Sequence, residues 1–161
     1  MWEHAYRRRH KSFTSLKRRA NYVLPAQALK KGESGMERFL WICVAGAAGS
    51  GTRYLIAVWA AQRLGSAFPY GTLLVNLAGC FAIAAFMHGA LTLGWPASTR
   101  AAVTIGFIGG LTTYSSFNYE TMRLLEEGAP ATAAFNVALT LFGGFMAGWL
   151  GLVTAREILG R

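Results

Sequence analysis

Four apolar segments follow one another along this chain, and together they constrain what it can fold into. They cover residues 39–61, 68–95, 98–119 and 131–154. A helix needs about 20 mostly apolar residues to cross a hydrocarbon core ~30 Å thick, so each segment predicts one transmembrane helix. Because only helices and closed barrels satisfy their backbone groups in lipid, we expect an all-α membrane protein with four transmembrane helices.

The breaks between these segments are short and rich in turn residues. They lie at residues 62–66, 94–96 and 123–130. Pro96 and Pro130 are each expected in the first turn of the helix that follows, where a missing N–H costs least. The sequence therefore predicts tight hairpins between neighbouring helices.

The first 35 residues are a different kind of chain. Nine of the 16 Lys and Arg residues lie between residues 7 and 31, against only Glu3 and Glu33, which gives +7 of the total charge of +9. We interpret residues 1–35 as a basic, disordered N-terminal extension and residues 36–161 as the transmembrane domain. Since the excess charge belongs to the extension, it does not indicate a nucleic-acid-binding body.

The third segment has the least helical composition of the four. Three glycines are followed closely by four hydroxyl residues, namely Gly106, Gly109, Gly110, Thr112, Thr113, Ser115 and Ser116. Glycine costs about 1 kcal/mol relative to alanine in a helix, and hydroxyls compete for backbone hydrogen bonds, so we expect a break near residues 109–112. Unwound backbone at membrane depth lines a polar cavity or holds an ion. A packing kink is the alternative, and composition alone favours neither.

A few polar residues interrupt the apolar segments elsewhere. Thr72 and Asn76 are four residues apart, so they share one face of the second helix, as interhelical hydrogen-bonding groups or as donors to a dehydrated anion. Arg53 and Glu120 are the ionisable residues nearest membrane depth and are functional candidates for that reason. Arg53 is equally consistent with a snorkelling side chain, and Glu120 with a cap or a pairing residue.

Other patterns are interpreted as structural. The glycine-rich runs at residues 46–51 and 143–148 predict faces where helices pack closely, because small residues let backbones approach in lipid. The first run could be mistaken for a phosphate-binding loop, but it lacks the lysine and the spacing of one. Cys43 and Cys80 are expected to be ordinary helix residues. Residues 36–161 contain no paired carboxylates and no Ser-His-Asp or Cys-His arrangement, so the sequence does not predict an enzyme.

Three motifs give residues 36–161 a resemblance to a known family. They are GSGTRY at residues 49–54, GTLLVN at residues 71–76 with Gly79 after it, and GFIGGLTTYSSF at residues 106–117. The chain thereby resembles the Fluc/CrcB family of fluoride channels, which export fluoride passively. The resemblance implies a dual-topology antiparallel homodimer in the bacterial inner membrane, with two fluoride pores and a structural Na⁺ at the dimer centre.

The resemblance also implies roles for individual residues. The Na⁺ ligands are the backbone carbonyls of Gly109 and Thr112, while Arg53 and Glu120 have structural or electrostatic roles. The fluoride pore residues are Thr72, Asn76, Tyr114, Ser116, Phe117 and Thr140. Aromatic rings have a positive edge that can replace water around a small anion, which suits Tyr114 and Phe117. The family usually has Phe at the position of Tyr114, so the conduction rate is where this chain is expected to differ.

Two further hypotheses depend on this reading. A small four-helix, proton-coupled multidrug transporter is the alternative function, but it requires a carboxylate deep in the first helix, and none is present there.

In the antiparallel dimer, the loop arginines of residues 36–161 divide four against two between the two sides of the membrane. The nine basic residues of the extension would make this thirteen against two. We therefore hypothesise that Met36 is the true start; a removable transit segment and an oppositely oriented partner chain are the alternatives.

Overall fold

The computed structural model describes residues 35–159 and is entirely helical, without strands, over that range. The extension expected at residues 1–35 lies outside the described residues, except for Gly35, which begins the first helix. Seven helical elements follow in chain order: α1 (Gly35–Leu64), α2 (Tyr70–Thr92), α3 (Ala97–Ala101), a π-helix π1 (Ala102–Ile108), α4 (Gly109–Leu111), α5 (Tyr114–Glu126) and α6 (Pro130–Leu159).

Three of these helices are long and apolar enough to cross a membrane without interruption. They are α1, α2 and α6, with 30, 23 and 30 residues. The third apolar segment differs because α3, π1 and α4 follow one another directly up to Leu111, and α5 begins only at Tyr114. The expected break is therefore present, and its non-helical residues are Thr112 and Thr113.

Glycine and proline end and begin the helices as the sequence indicates. Gly94 and Gly128 have φ values of 67° and 76°, a left-handed conformation that glycine adopts without strain. The residue after each glycine closes a Schellman motif. After Gly94, Trp95 N–H donates to Ala90 O (2.8 Å), and after Gly128, Ala129 N–H donates to Leu124 O (2.9 Å). Pro96 directly precedes α3 and Pro130 is the first residue of α6, which confirms the predicted hairpins.

The glycine-rich runs are helix contact faces, as predicted. The most extensive helix contacts join α2 to α6 and α1 to π1. A Cβ placed on Gly49 of the first run would collide with the backbone carbonyl of Phe107 in π1, and a Cβ on Gly143 of the second run would lie 3.0 Å from Leu77 Cδ2 in α2. Backbones thus approach closely through small residues, which is how helices associate in lipid.

Large apolar side chains point outward over much of the surface. Phe145, for example, is 78% exposed and Phe142 is 72% exposed, both on α6. The buried set instead includes polar residues, and Asn136 is only 1% exposed. Extensive apolar surface of this kind marks contact with membrane or with another protein chain.

Candidate functional site

The break in the third segment is two residues of extended backbone. Thr112 has φ −84° and ψ 154°, and Thr113 has φ −152° and ψ 118°. Thr113 N–H would donate to Gly109 O in a continuous helix, but here it donates to Asn76 Oδ1 at 2.8 Å. The carbonyl of Gly109 is therefore released from that hydrogen bond and is available to another partner.

Asn76 holds the break from the neighbouring helix. Its side-chain oxygen accepts from Thr113 N–H at 2.8 Å, and its Nδ2 donates to Thr113 O at 3.0 Å. The amide thus pairs with both backbone groups of one residue, so it fixes the conformation at which α5 begins. This is the interhelical role expected for Asn76, and the second hydrogen on Nδ2 keeps the anion-donor role open.

The hydroxyl residues after the break begin α5. Thr113 Oγ1 accepts from Ser116 N–H at 3.2 Å, which is an N-cap bond, and donates to Ser116 Oγ at 3.1 Å. Thr112 Oγ1 instead bonds back to Ile108 O at 3.0 Å. The threonines therefore stop one helix and start the next, and they do so through side-chain bonds that alanine in their place would not make.

Two polar side chains of α1 reach the break from the other side. Arg53 Nη1 lies 3.4 Å from Thr112 O, and Ser50 Oγ lies 3.4 Å from Gly110 O. Both distances are long for hydrogen bonds, so these contacts are weak. The Arg53 guanidinium nevertheless points to the break, and this places a positive charge beside the unwound backbone.

Glu120 faces the second helix from α5. Its Oε1 accepts from Thr72 Oγ1 at 2.8 Å, while its Oε2 is buried and has no hydrogen-bond partner. A buried acceptor without a partner is costly, so this oxygen is a candidate to bind water or an ion. Thr72 and Glu120, two of the residues singled out in the sequence, are therefore joined by a hydrogen bond between α2 and α5.

Two cavities collect most of the residues that the sequence predicted. The first has a volume of about 290 Å³, and its lining includes Asn76, Thr112, Tyr114, Phe117 and Thr140. The second has a volume of about 530 Å³ and is lined by Ser115, Ser116, Tyr119, Glu120 and Arg123. Thr72, Gly109 and Arg53 line neither cavity, although Thr72 is hydrogen-bonded to Glu120, which lines the second.

The two aromatic residues of α5 lie together, as their spacing predicts. The ring centroids of Tyr114 and Phe117 are 5.6 Å apart with an interplanar angle of 58°. Phe117 is 7% exposed, but Tyr114 is 77% exposed in the single chain. The pair therefore forms one wall of the first cavity, with Phe117 fixed by packing and Tyr114 open to its surroundings.

A buried polar link that the sequence motifs do not indicate supports Phe117. Asn136 Nδ2 on α6 donates to Thr121 Oγ1 at 2.9 Å, and Thr121 Oγ1 donates to Phe117 O at 2.7 Å. The signal was available, because Asn136 is a polar residue in an apolar segment and lies four residues before Thr140, the same spacing as Thr72 and Asn76. The link joins α5 to α6 directly behind the aromatic pair.

Gly79 provides a test of how tightly α2 packs on the break. A Cβ on Gly79 would collide with Thr112 Cγ2, while the next nearest atom, Thr112 Cβ, is 3.6 Å away. We expect Gly79→Ala to lower the free energy of unfolding by about 1–3 kcal/mol. Adding Thr112→Ser removes Cγ2 but keeps the hydroxyl, so the double variant is expected to recover most of that loss.

Thermal unfolding of the purified protein in detergent measures both variants against wild type, with Thr112→Ser alone as the control. Equal losses in Gly79→Ala and in the double variant would show that Cγ2 is not the atom that excludes a side chain at this position.

Comparison with known proteins identifies similar sequences over nearly all of the described helices. A family model described as CrcB-like protein, Camphor Resistance (CrcB), matches residues 40–152. A Sorangium cellulosum protein is 46% identical over 125 residues, which are 77% of this chain and 98% of the relative. A Geobacter metallireducens protein is 48% identical over 118 residues, 73% of this chain and 95% of the relative. A third, from Anaeromyxobacter dehalogenans, is 43% identical over 126 residues, 78% of this chain and all of the relative. Each of these relatives is named fluoride-specific ion channel FluC.

Proposed function

This chain belongs to the CrcB family of membrane proteins, and on that premise we propose that it is a fluoride-specific ion channel that lets fluoride leave the cell passively. The observation that carries the proposal is the break at Thr112 and Thr113, which Asn76 holds against a cavity with an aromatic wall. The multi-pass helical architecture supports a membrane location, which we place in the bacterial inner membrane.

We propose that fluoride crosses through the two cavities. Fluoride must exchange its water for protein groups, and a selective pathway supplies those groups at close quarters. In the first cavity, the free Nδ2 hydrogen of Asn76, the Thr140 hydroxyl and the ring edges of Tyr114 and Phe117 can take the place of water. Towards the second cavity, the same task falls to the Ser116 hydroxyl, which accepts from Thr113 Oγ1 and keeps its own proton to donate, whereas Thr72 donates its proton to Glu120.

We further propose that the interrupted third segment also crosses the membrane, which brings the number of crossings to four, and that two copies assemble antiparallel. The exposure of Tyr114, 77% in the single chain, supports a second copy, because an aromatic pore wall requires a partner surface to enclose it. The outward-facing apolar side chains of α6 supply further surface for lipid or for a second copy. The loop arginines of residues 36–161 divide four against two, and so slight a bias is compatible with both orientations in the membrane.

A structural Na⁺ at the centre of such a dimer fits the chemistry of the break. The described residues contain no cluster of three His, Cys, Asp or Glu side chains, so a cation there depends on oxygen ligands of the backbone. Released carbonyls of unwound helices are typical Na⁺ ligands. Gly109 O is released in this structure, and we propose that it binds Na⁺ together with Thr112 O, which has a second lone pair beside its weak contact with Arg53. The ion supplies a fixed positive charge near the pathway.

Passive fluoride flux separates this proposal from a proton-coupled multidrug transporter. The acid of α1 is Glu37 in its first turn, and the helix contains none at the depth that such a transporter requires. Liposomes that contain the purified protein and potassium fluoride are expected to release fluoride, but not chloride, when valinomycin carries the counter-ion. Release that requires a proton gradient, or equal release of chloride, would contradict the channel proposal.

Tyr114 tests whether the ring edge or the hydroxyl matters for conduction. In the single chain its hydroxyl makes no hydrogen bond to another described residue, which leaves it available to fluoride or to a second copy of the chain. We expect Tyr114→Phe to keep the selectivity over chloride and to change the fluoride efflux rate by about two- to threefold, the scale of one weak hydrogen bond. Tyr114→Leu removes the ring edge and is expected to lower the rate at least about tenfold.

Both variants are compared in the same liposome assay after their monodispersity in detergent has been checked. Identical rates for wild type and Tyr114→Phe would end the idea that the hydroxyl matters. Normal efflux from Tyr114→Leu would remove this ring from the pathway.

A further inference from the structure

Arg123 lines the second cavity at the end of α5 that lies away from the break. Glu120 and Ser116 line the same cavity, about one turn and about two turns nearer the break respectively. None of the other residues that line the two described cavities is cationic. Arg123 therefore supplies the positive charge at the outer end of the proposed pathway, and it does so beside the carboxylate of Glu120.

The contacts of Arg123 are weak for a residue with a purely structural role. Its Nη1 lies 3.4 Å from Glu127 Oε1, an i,i+4 pair whose side chains are 38% and 54% exposed. Exposed pairs of this kind contribute little to stability. Its Nη2 lies 3.5 Å from Ser66 O, at the limit of a hydrogen bond. The guanidinium is thus loosely held and partly exposed to the cavity.

We propose that Arg123 gathers fluoride at the mouth of the pathway and that Glu127 sets how strongly it does so. The inference rests on the proposed channel function. A positive charge at the entrance of a cleft raises the local concentration of anions there. Glu120 by itself would repel an approaching anion, and Arg123 offsets that repulsion at the entrance. Pairing with Glu127 reduces the effect without removing it, because Glu127 is the more exposed partner.

The expected size of the effect follows from Coulomb's law. A unit charge about 6–8 Å from an anion in a water-like environment changes the local anion concentration about threefold. Salt weakens this interaction, because the screening length falls from about 30 Å at 10 mM ionic strength to about 3 Å at 1 M. Gathering by Arg123 must therefore disappear at high salt, whereas a structural role would not.

The experiment measures fluoride current through wild type and three variants in planar bilayers at subsaturating fluoride, with ionic strength set by an impermeant salt. Arg123→Gln is expected to lower the current about threefold near 10 mM ionic strength and to match wild type near 1 M. Arg123→Lys keeps the charge and is expected to behave as wild type at both. Glu127→Gln releases Arg123 and is expected to raise the current at low ionic strength only.

Each outcome distinguishes the inference from its alternatives. A loss in Arg123→Gln that is equal at low and high salt, or an equal loss in Arg123→Lys, would assign Arg123 a structural role and overturn the inference. Wild-type currents from Arg123→Gln at every ionic strength would overturn it as well. These results leave the proposed channel function intact, whereas absence of fluoride current in wild type would refute that function itself.

Discussion

Gly49→Ala is expected to prevent assembly of the folded protein, because the added methyl group would collide with backbone. A Cβ on Gly49 would collide with Phe107 O and would lie 2.9 Å from Phe107 C and 3.0 Å from Leu111 N. All three atoms belong to the backbone of the facing segment, so no side chain can turn away. Overpacking usually costs about 1–3 kcal/mol, and a backbone clash belongs at or above the upper end of that range.

Gly51→Ala is the matched control for this variant. Gly51 lies on the same helix, two residues further on, and an added Cβ there has no neighbour within 4 Å. Since alanine is favoured over glycine in a helix by about 1 kcal/mol, Gly51→Ala is expected to be neutral or stabilising. Size-exclusion profiles and thermal unfolding in detergent compare the two. A monodisperse Gly49→Ala protein with wild-type unfolding would show that α1 and π1 do not pack as closely as described here.

Asn76→Asp is expected to lower fluoride flux by about 100-fold while much of the fold remains. An aspartate keeps the acceptor for Thr113 N–H but loses the donor to Thr113 O, so its second oxygen faces that carbonyl without a hydrogen bond between them. It also adds a negative charge to the first cavity. At an effective dielectric constant of about 20, a like charge about 6 Å from fluoride costs about 2.8 kcal/mol, which corresponds to about 100-fold.

Asn118→Asp adds the same charge without touching this site. Asn118 is exposed on α5 and lines neither of the two described cavities. Liposome efflux from this control is expected to stay well above that of Asn76→Asp, because the added charge lies outside both cavities. If Asn118→Asp lowered efflux as much as Asn76→Asp, the loss would report the net charge of the protein and not the position of Asn76.

The helix boundaries were largely predictable because their signals are local. Apolar segment length, Gly94, Gly128 and the two prolines mark ends that depend on nearby backbone geometry, and the structure begins and ends its helices there. Helices α1 and α6 are longer than predicted because they continue into polar sequence at their ends, whereas α2 is shorter than the predicted segment 68–95. The apolar periodicity does not report those final turns.

The exact break was less predictable because a distant residue determines it. Composition places it near residues 109–112, but the extended residues are Thr112 and Thr113, since Asn76 captures the N–H of Thr113 from another helix. The π-helical winding of π1 has no local signal in the chain either. We attribute it to packing, because Gly106 within it lies directly against Ile42 of α1.

Prediction of the candidate site depended on which residues share a helix face. Spacing along the chain identifies Thr72 and Asn76 as neighbours on one helix face. It does not show that Thr72 pairs with Glu120 or that Asn76 pairs with Thr113. Asn136 was missed for a related reason. Its role appears only when α6 packs against Thr121, a contact that spacing along the chain does not encode.

At the break, the two extended residues bring helix ends of opposite partial charge close together. The helical stretch before them ends at Leu111 with carbonyl groups, the negative end of its macrodipole, and α5 begins at Tyr114 with amide groups, the positive end of the next. One interruption therefore offers a cation and an anion adjoining but separate places. In the proposed antiparallel pair this arrangement would repeat about the symmetry axis, so the two ends of one interrupted segment could serve both ions through backbone groups.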